Sequence, residues 1–422
     1  MDSAASETSA DGLRRTRRRG FVRGFGPGLV AGASANDPTT VGSIAVVAGA
    51  TGYGLAWLVL LLLPMLAVIQ AIAASVASAS QMSLQQAIVA TYGRVPAAIA
   101  LTAIAAIGVF TLGADVQAGA QALTLLTHVP AGYFVVPLAG AAFWLLATKS
   151  YVRIERTLAA FTLIFLCYVA SAILARPNWL EVLRHVAVPH WSASPAFVTG
   201  ALALLGTTLT GYVYYWESIE VAERRPEPAQ FGAFHADAVL GMLVAGSSFL
   251  FILIATAASR ASGGAPIQAA VDAAAALKPL AGPGAEVLFG VGLLASAAIA
   301  LPVIAATNGY VVAQTFGWSC GLAKEPREAP GFYGAIFASL AVAAAIAMLP
   351  VPTMWLLYWA SVAAGLATPV TLVFTMLAAR NRALMGARRV SLAVACAGWT
   401  VTAIVAVSSA AFLVSAGSAF AR

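Results

Sequence analysis

The most chemically loaded position in this sequence is a carboxylate where none is expected. Asp37 sits inside GFGPGLVAGASANDPTTVGSIAVVAGA, the run from Gly24 to Ala50, which is apolar on both flanks. An ionisable group deep in a bilayer is costly and needs a partner. Pro38 follows it, with no amide hydrogen and a ring that clashes with the preceding turn. Gly26, Pro27, Gly28 and Gly32 loosen the turns before it. These residues predict a discontinuous helix whose freed carbonyls and helix ends face a cavity, where Asp37 can meet a cation. A kinked helix with Asp37 held by internal hydrogen bonds is the plainer alternative. Asn36 beside Asp37 weighs against it, because two adjacent polar groups cannot both face lipid. Thr39 and Thr40 can bind, or can simply cap the second half-helix through a hydroxyl.

A second weakly helical patch lies in ALALLGTTLTGYVYYWESIEVAER, from Ala201 to Arg224, where Gly206, Thr207, Thr208, Thr210 and Gly211 interrupt an apolar stretch. Two interrupted helices in corresponding halves of a chain mark a substrate site near the membrane midplane. Tyr212, Tyr214, Tyr215 and Trp216 follow, most of them suited to packing or to the interface. Glu217 and Glu220 can attract cations or carry protons, or can form a solvated helix end with Glu220 four residues before Arg224.

Further candidates are fewer. Asp115 is the lone carboxylate of GVFTLGADVQAGAQALTLL, with Gln117 and Gln121 nearby; it suits a relay or supporting role, and equally a structural acceptor. Thr307 and Asn308 interrupt ALPVIAATNGYVVAQTFGW, where Asn308 can cross-link helices by a hydrogen bond. His128, His185, His190 and His235 show no ligand spacing within a span. Cys167, Cys320 and Cys396 are far apart, which indicates neither a zinc site nor a disulfide framework.

These groups need elements to hold them. The 422 residues are 61% hydrophobic and only 9% charged, too little ionisable surface for a soluble protein of this size. Apolar runs predict an all-α polytopic membrane protein with about eleven spans, near 26–49, 53–79, 97–126, 131–147, 156–174, 193–221, 235–259, 283–313, 330–349, 353–377 and 391–416. The net charge of +7 follows topology and predicts no nucleic-acid partner. With the N-terminus in the cytoplasm, only Arg176, Arg184, Arg260, Lys278 and Arg422 of the 23 Lys and Arg fall outside. That imbalance obeys the positive-inside rule and puts the C-terminus outside. Residues 1–23 read as a cytoplasmic tail without a cleavable signal, its Arg14–Arg19 cluster facing anionic lipid. Small residues at helical spacing, as in AIAASVASAS, allow helices to approach closely and slide.

From about Gly24 to Gly386 the chain resembles the natural resistance-associated macrophage protein (Nramp) family of divalent metal transporters, and its branch of bacterial relatives that includes magnesium transporters. The resemblance is carried by GPGLVAGASANDPTT, GADVQAGAQAL, YVRIERTLAAFTL, LLGTTLTGYVYYW, GLLASAAIALPVIAATNGYVVAQTFGW, KEPREAPGFY and LYWASVAAGLATPVTLVFTMLAARNRALMG, in that order. It implies a leucine-transporter-like fold with inverted five-helix repeats: a ten-helix core over 24–380, repeat one about 24–175 and repeat two about 193–380, with 381–422 adding helix 11. It also implies an ion site between unwound segments of helices 1 and 6.

The family's manganese and iron transporters read Asp-Pro-Gly-Asn in helix 1, where this chain has Asp37, Pro38, Thr39 and Thr40. The metal-binding aspartate carries over to Asp37. Thr40 stands where those proteins have asparagine, and Asn36 substitutes only if the backbone turns it inward. Thr207 matches the alanine whose carbonyl helps bind metal. Thr210, Gly211 and Tyr212 match Met-Pro-His, so the soft ligand and the histidine of proton transport are both replaced. The implied ligand set is Asp37, Thr40, Thr207, Thr210 and Asn36, with Asp115, Tyr212 and Glu217 as relay or support. A carboxylate, hydroxyls and carbonyls suit Mg2+ or Mn2+ better than softer metals. The expectation is a secondary transporter of the bacterial inner membrane, working by alternating access, with the cation as substrate. It needs no cofactor and no obligate protein partner beyond membrane lipid. The alternatives are a transporter of another small solute on the same fold and a non-transporting receptor. No nucleophile–base constellation or cofactor loop points to an enzyme.

Overall fold

The computed structural model describes residues 36–148, 167–224, 246–259, 267 and 270–420. The N-terminal tail, the first half of the first predicted span, the start of the fifth and the start of the seventh lie outside the described residues. The helices, in chain order, are α1 (Pro38–Thr51), α2 (Ala56–Ser80), α3 (Leu84–Tyr92), α4 (Arg94–Thr127), α5 (Gly132–Ala147), α6 (Cys167–Leu174), α7 (Trp179–Ala187), α8 (Pro195–Thr208), α9 (Gly211–Arg224), α10 (Gly246–Ser259), α11 (Ala285–Phe316), α12 (Pro330–Ala347), α13 (Thr353–Arg380) and α14 (Leu392–Phe420). Short helical turns fill Ala270–Gly284 and Arg382–Arg388.

Among the described residues, seven helical segments are long and apolar enough to cross a membrane: α2, α4, α8 with α9, α11, α12, α13 and α14. Shorter apolar helices are α1, α5 and α10. The chain is therefore an all-α, multi-pass membrane protein. Two connections read as loops from sequence hold helices. The amphipathic α7 lies in the connection near 175–192, capped by Asn178. The small α3 follows α2, started by a reciprocal cap between Ser83 and Gln86. Its nine residues are too few to register as a span.

Helix α4 lies along α11 and also meets α12 and α13. Gly108 of α4 touches the Asn308 side chain and Gly119 touches Ala297, so residue numbers fall along α11 as they rise along α4 and the pair is antiparallel. Helix α1 sits against α8, α13 and α4. Glycine makes the closest approach possible at Gly206, where an added Cβ would lie 2.1 Å from the Ser361 carbonyl oxygen and 2.3 Å from the Gly365 nitrogen. By contrast α14 is peripheral and turns Val407, Leu413 and Val414 outward, as an apolar helix does against lipid.

Candidate functional site

The second expected interruption is present; at the first, a helix begins at Pro38 and the half before it lies outside the described residues. Helix α1 starts at Pro38, whose fixed φ and missing N–H suit the first helical position. Asp37 is its cap, in extended conformation, with its Oδ1 accepting the Thr40 N–H at 2.6 Å. The expectation that Thr39 or Thr40 caps this half-helix is thereby corrected: a carboxylate at the cap position outcompetes a hydroxyl one turn inside, and it also complements the positive helix end. The second interruption spans Leu209 and Thr210, between α8 and α9. Leu209 N–H still bonds the Leu205 carbonyl, so the carbonyls that follow in the last turn of α8 lack intrahelical donors and form its negative end.

Two hydrogen bonds join the breaks. The Tyr212 hydroxyl donates to Asp37 Oδ2 at 2.6 Å. Thr40 and Thr207 share a hydroxyl–hydroxyl bond of 2.8 Å. Asp37 is 1% exposed and Thr40, Thr207, Thr210 and Tyr212 are buried with it. The Thr210 hydroxyl has no hydrogen-bond partner among the described residues. A buried hydroxyl left so forgoes about 1–3 kcal/mol, which a water or ion could restore. A carboxylate offers about four lone-pair sites, and among the described residues Thr40 and Tyr212 donate to those of Asp37.

Asp115 is drawn to the same place from α4. Its Oδ1 accepts the Thr39 N–H at 2.9 Å and the Thr39 hydroxyl at 2.6 Å, while its Oδ2 has no partner among the described residues. It is thus a structural acceptor at one oxygen and open at the other. Asn36 is buried, and its carbonyl accepts a hydrogen bond from the Ser296 hydroxyl of α11. Glu217 is buried too, but it lies seven residues beyond Thr210, about 10 Å along α9, and is not brought to the cluster.

Helix α13 supports both breaks, a role sequence reasoning missed. The Thr368 hydroxyl approaches the Leu209 carbonyl at 3.4 Å, Thr371 pairs with the Tyr214 hydroxyl, and Ser361 bonds Ser43 of α1 at 2.6 Å. The signal was available: Ser361, Thr368, Thr371 and Thr375 recur at helical spacing in a span whose other residues are mostly apolar. Two readings of α11 are corrected. Thr307 and Asn308 do not interrupt it, since the helix is continuous and Thr307 turns its hydroxyl back onto the Val303 carbonyl. Among the described residues Asn308 makes no cross-link, because both its amide atoms lack partners there.

Among the described residues no group of three or more His, Cys, Asp or Glu forms a metal cluster. The cysteines are free, and burial, then the Glu223 charge, pushes the Cys320 thiol up, which keeps it from acting as a thiolate. The oxygen-only cleft is the chemistry left. The model of the family described as natural resistance-associated macrophage protein-like matches residues 28–415. The chain belongs to that family. Membership makes this Nramp protein a transporter rather than an enzyme. It is similar to a Burkholderia ambifaria protein named divalent metal cation transporter MntH, 28% identical over 72% of this chain and 70% of that one. In fold it is similar to the Eremococcus coleocola manganese transporter, with a TM-score of 0.72 and 20% identity over 92% of this chain and 85% of that one. It is also similar to MhsT, solved with L-phenylalanine, with a TM-score of 0.63 and 16% identity over 92% of this Nramp chain and 98% of that one.

Proposed function

We propose that this chain is a secondary transporter that carries a hard divalent cation, Mg2+ or Mn2+, across a bacterial cytoplasmic membrane. The observation that supports the reading is the joining of two helix breaks around oxygen atoms alone, Asp37 with Tyr212 and Thr40 with Thr207. Asp37, Thr40 and Thr210 supply side-chain oxygens, and the end of α8 near Thr207 supplies carbonyls. Asn36 is held in reserve beside Asp37, with Asp115 and Tyr212 supporting the carboxylate. Mg2+ keeps part of its water shell, so a few direct ligands suffice for it. No sulfur is present to favour a softer metal.

Alternating access fits the architecture. A core of two inverted five-helix repeats, 24–175 and 193–380, would rock about the paired breaks, with α14 as the additional eleventh span. Fold likeness to the amino-acid-binding MhsT supports that arrangement. The excess of Lys and Arg in the segments read as cytoplasmic supports an N-terminus inside and a C-terminus outside.

Purified protein in proteoliposomes, offered Mg2+, Mn2+, Ca2+ and Zn2+ in turn, tests the reading. Saturable uptake of Mg2+ or Mn2+ is expected. Absence of any divalent flux, with uptake of an amine or amino acid instead, would replace the cation by an organic solute.

A further inference from the structure

Outside the group at Asp37, six buried side chains carry oxygens with nothing bonded to them among the described residues, and three of the six fall in one sector of the bundle. The three are Asn308 on α11, Tyr215 on α9 and Gln85 on α3. Each is at most 1% exposed. In a bundle of this packing such groups are exceptions that need a reason. Asn308 is the extreme case. It is wholly buried, and neither its Oδ1 nor its Nδ2 is bonded. Space for its amide exists because Gly108 has no side chain, and a Cβ there would come within 2.3 Å of Oδ1.

The three sit in one sector. Helices α3, α4, α9 and α11 all touch one another. Asn308 faces α4 at Gly108. On α9, Ser218 accepts the Leu84 N–H of α3 at 3.0 Å, and Tyr215, one turn earlier, shares that face. Gln85 spends its Nε2 on the Thr315 hydroxyl of α11 at 2.7 Å and on the Ala97 carbonyl at 2.9 Å. Its Oε1 is left over.

They also follow one another along the bundle. Gly108 lies on the Arg94 side of Asp115, which puts Asn308 beyond the cleft in that direction. Tyr215 comes five residues after Thr210, about 7 Å along α9, and the neighbouring Trp216 ring lies 6.4 Å from that of Tyr310, two residues past Asn308. Gln85 meets α11 at Thr315, about 10 Å beyond Asn308. The order is therefore cleft, then Asn308 and Tyr215, then Gln85, towards the end of the bundle that bears Arg94.

We propose that Asn308, Tyr215 and Gln85 form a second, transient station for a hydrated divalent cation, between Asp37 and the cytoplasmic end. The inference rests on the transport reading above. All three donors are neutral oxygens on side chains, so they exchange hydrogen bonds with the ion's water shell and do not strip it. Without a carboxylate the station holds the ion weakly, and weak holding lets it leave. The carboxylate at Asp37 selects the ion, and the neutral station carries it onward.

Two variants test this, each removing polar atoms that bond nothing among the described residues. Asn308→Leu keeps the bulk of the side chain, and Tyr215→Phe deletes one hydroxyl. One lost neutral hydrogen bond to the passing shell corresponds to a fall in maximal Mn2+ uptake of about fivefold. Affinity for Mn2+ by titration calorimetry should stay at the wild-type value, because Asp37 is untouched. The melting temperature should hold or rise, because an orphaned polar group is removed. Wild-type uptake rates in both variants would overturn the station, as would rate losses matched by falls in melting temperature, the mark of a structural role. If the wild-type protein itself neither binds nor moves a divalent cation, the transport reading fails first.

Discussion

At Asp37 one carboxylate does two jobs, capping α1 through Oδ1 and accepting Tyr212 at Oδ2. The jobs separate by mutation. Asparagine caps a helix about as well as aspartate, so Asp37→Asn should fold with a stability change of about 1 kcal/mol or less. Its lost charge should abolish divalent uptake, measured in proteoliposomes beside a thermal melt of the same sample. The Thr210 hydroxyl is buried and unbonded among the described residues, at a position that the family resemblance matches to a methionine. Thr210→Met adds a thioether to the cleft. It should move the preference from Mg2+ towards softer cations, read as Cd2+ competition against Mn2+ uptake that is stronger than in the wild type.

At the scale of elements, the breaks are held open by neighbours. On helix α13 the Thr368 hydroxyl lies 3.4 Å from the freed Leu209 carbonyl while bonding Ala364 in its own helix, and Gly365 lets α8 approach at Gly206. An alanine at 206 meets backbone atoms, which cannot rotate aside. Gly206→Ala should therefore cost about 1–3 kcal/mol and cut the yield of monodisperse protein in size-exclusion chromatography. Gly132→Ala on α5, with nothing within 4 Å of the added carbon, should leave that yield unchanged. A comparable loss in both would place the sensitivity in helix flexibility and not in the α8–α13 contact.

For the whole molecule, transport of a divalent cation inward moves positive charge along an inside-negative potential. That is worth about 2.3 kcal/mol per elementary charge per 100 mV. Uptake into right-side-out proteoliposomes should accelerate when a potassium diffusion potential makes the lumen negative. It should persist without a proton gradient if Tyr212 holds the place that the family resemblance matches to the histidine of proton transport. Uptake indifferent to potential would mean that compensating charge moves with the ion.

Composition alone determined that this chain crosses a membrane many times, because a chain 61% hydrophobic has no soluble alternative. Pro38 beside a buried acid, and the threonine–glycine patch after Leu205, were enough to locate two weak points in helices, since backbone chemistry is local. Pairing them was a tertiary matter. Nothing in the order of residues says that Tyr212 reaches Asp37 across 175 positions, or that Thr39 spends its N–H and hydroxyl on Asp115. The serine and threonine stripe of α13 was legible as a pattern but not as a support, because its partners lie on α1, α8 and α9. Asn308 looked like a cross-link until its surroundings were known. A side chain's polarity is written in the sequence, whereas whether anything satisfies it depends on which helices pack around it.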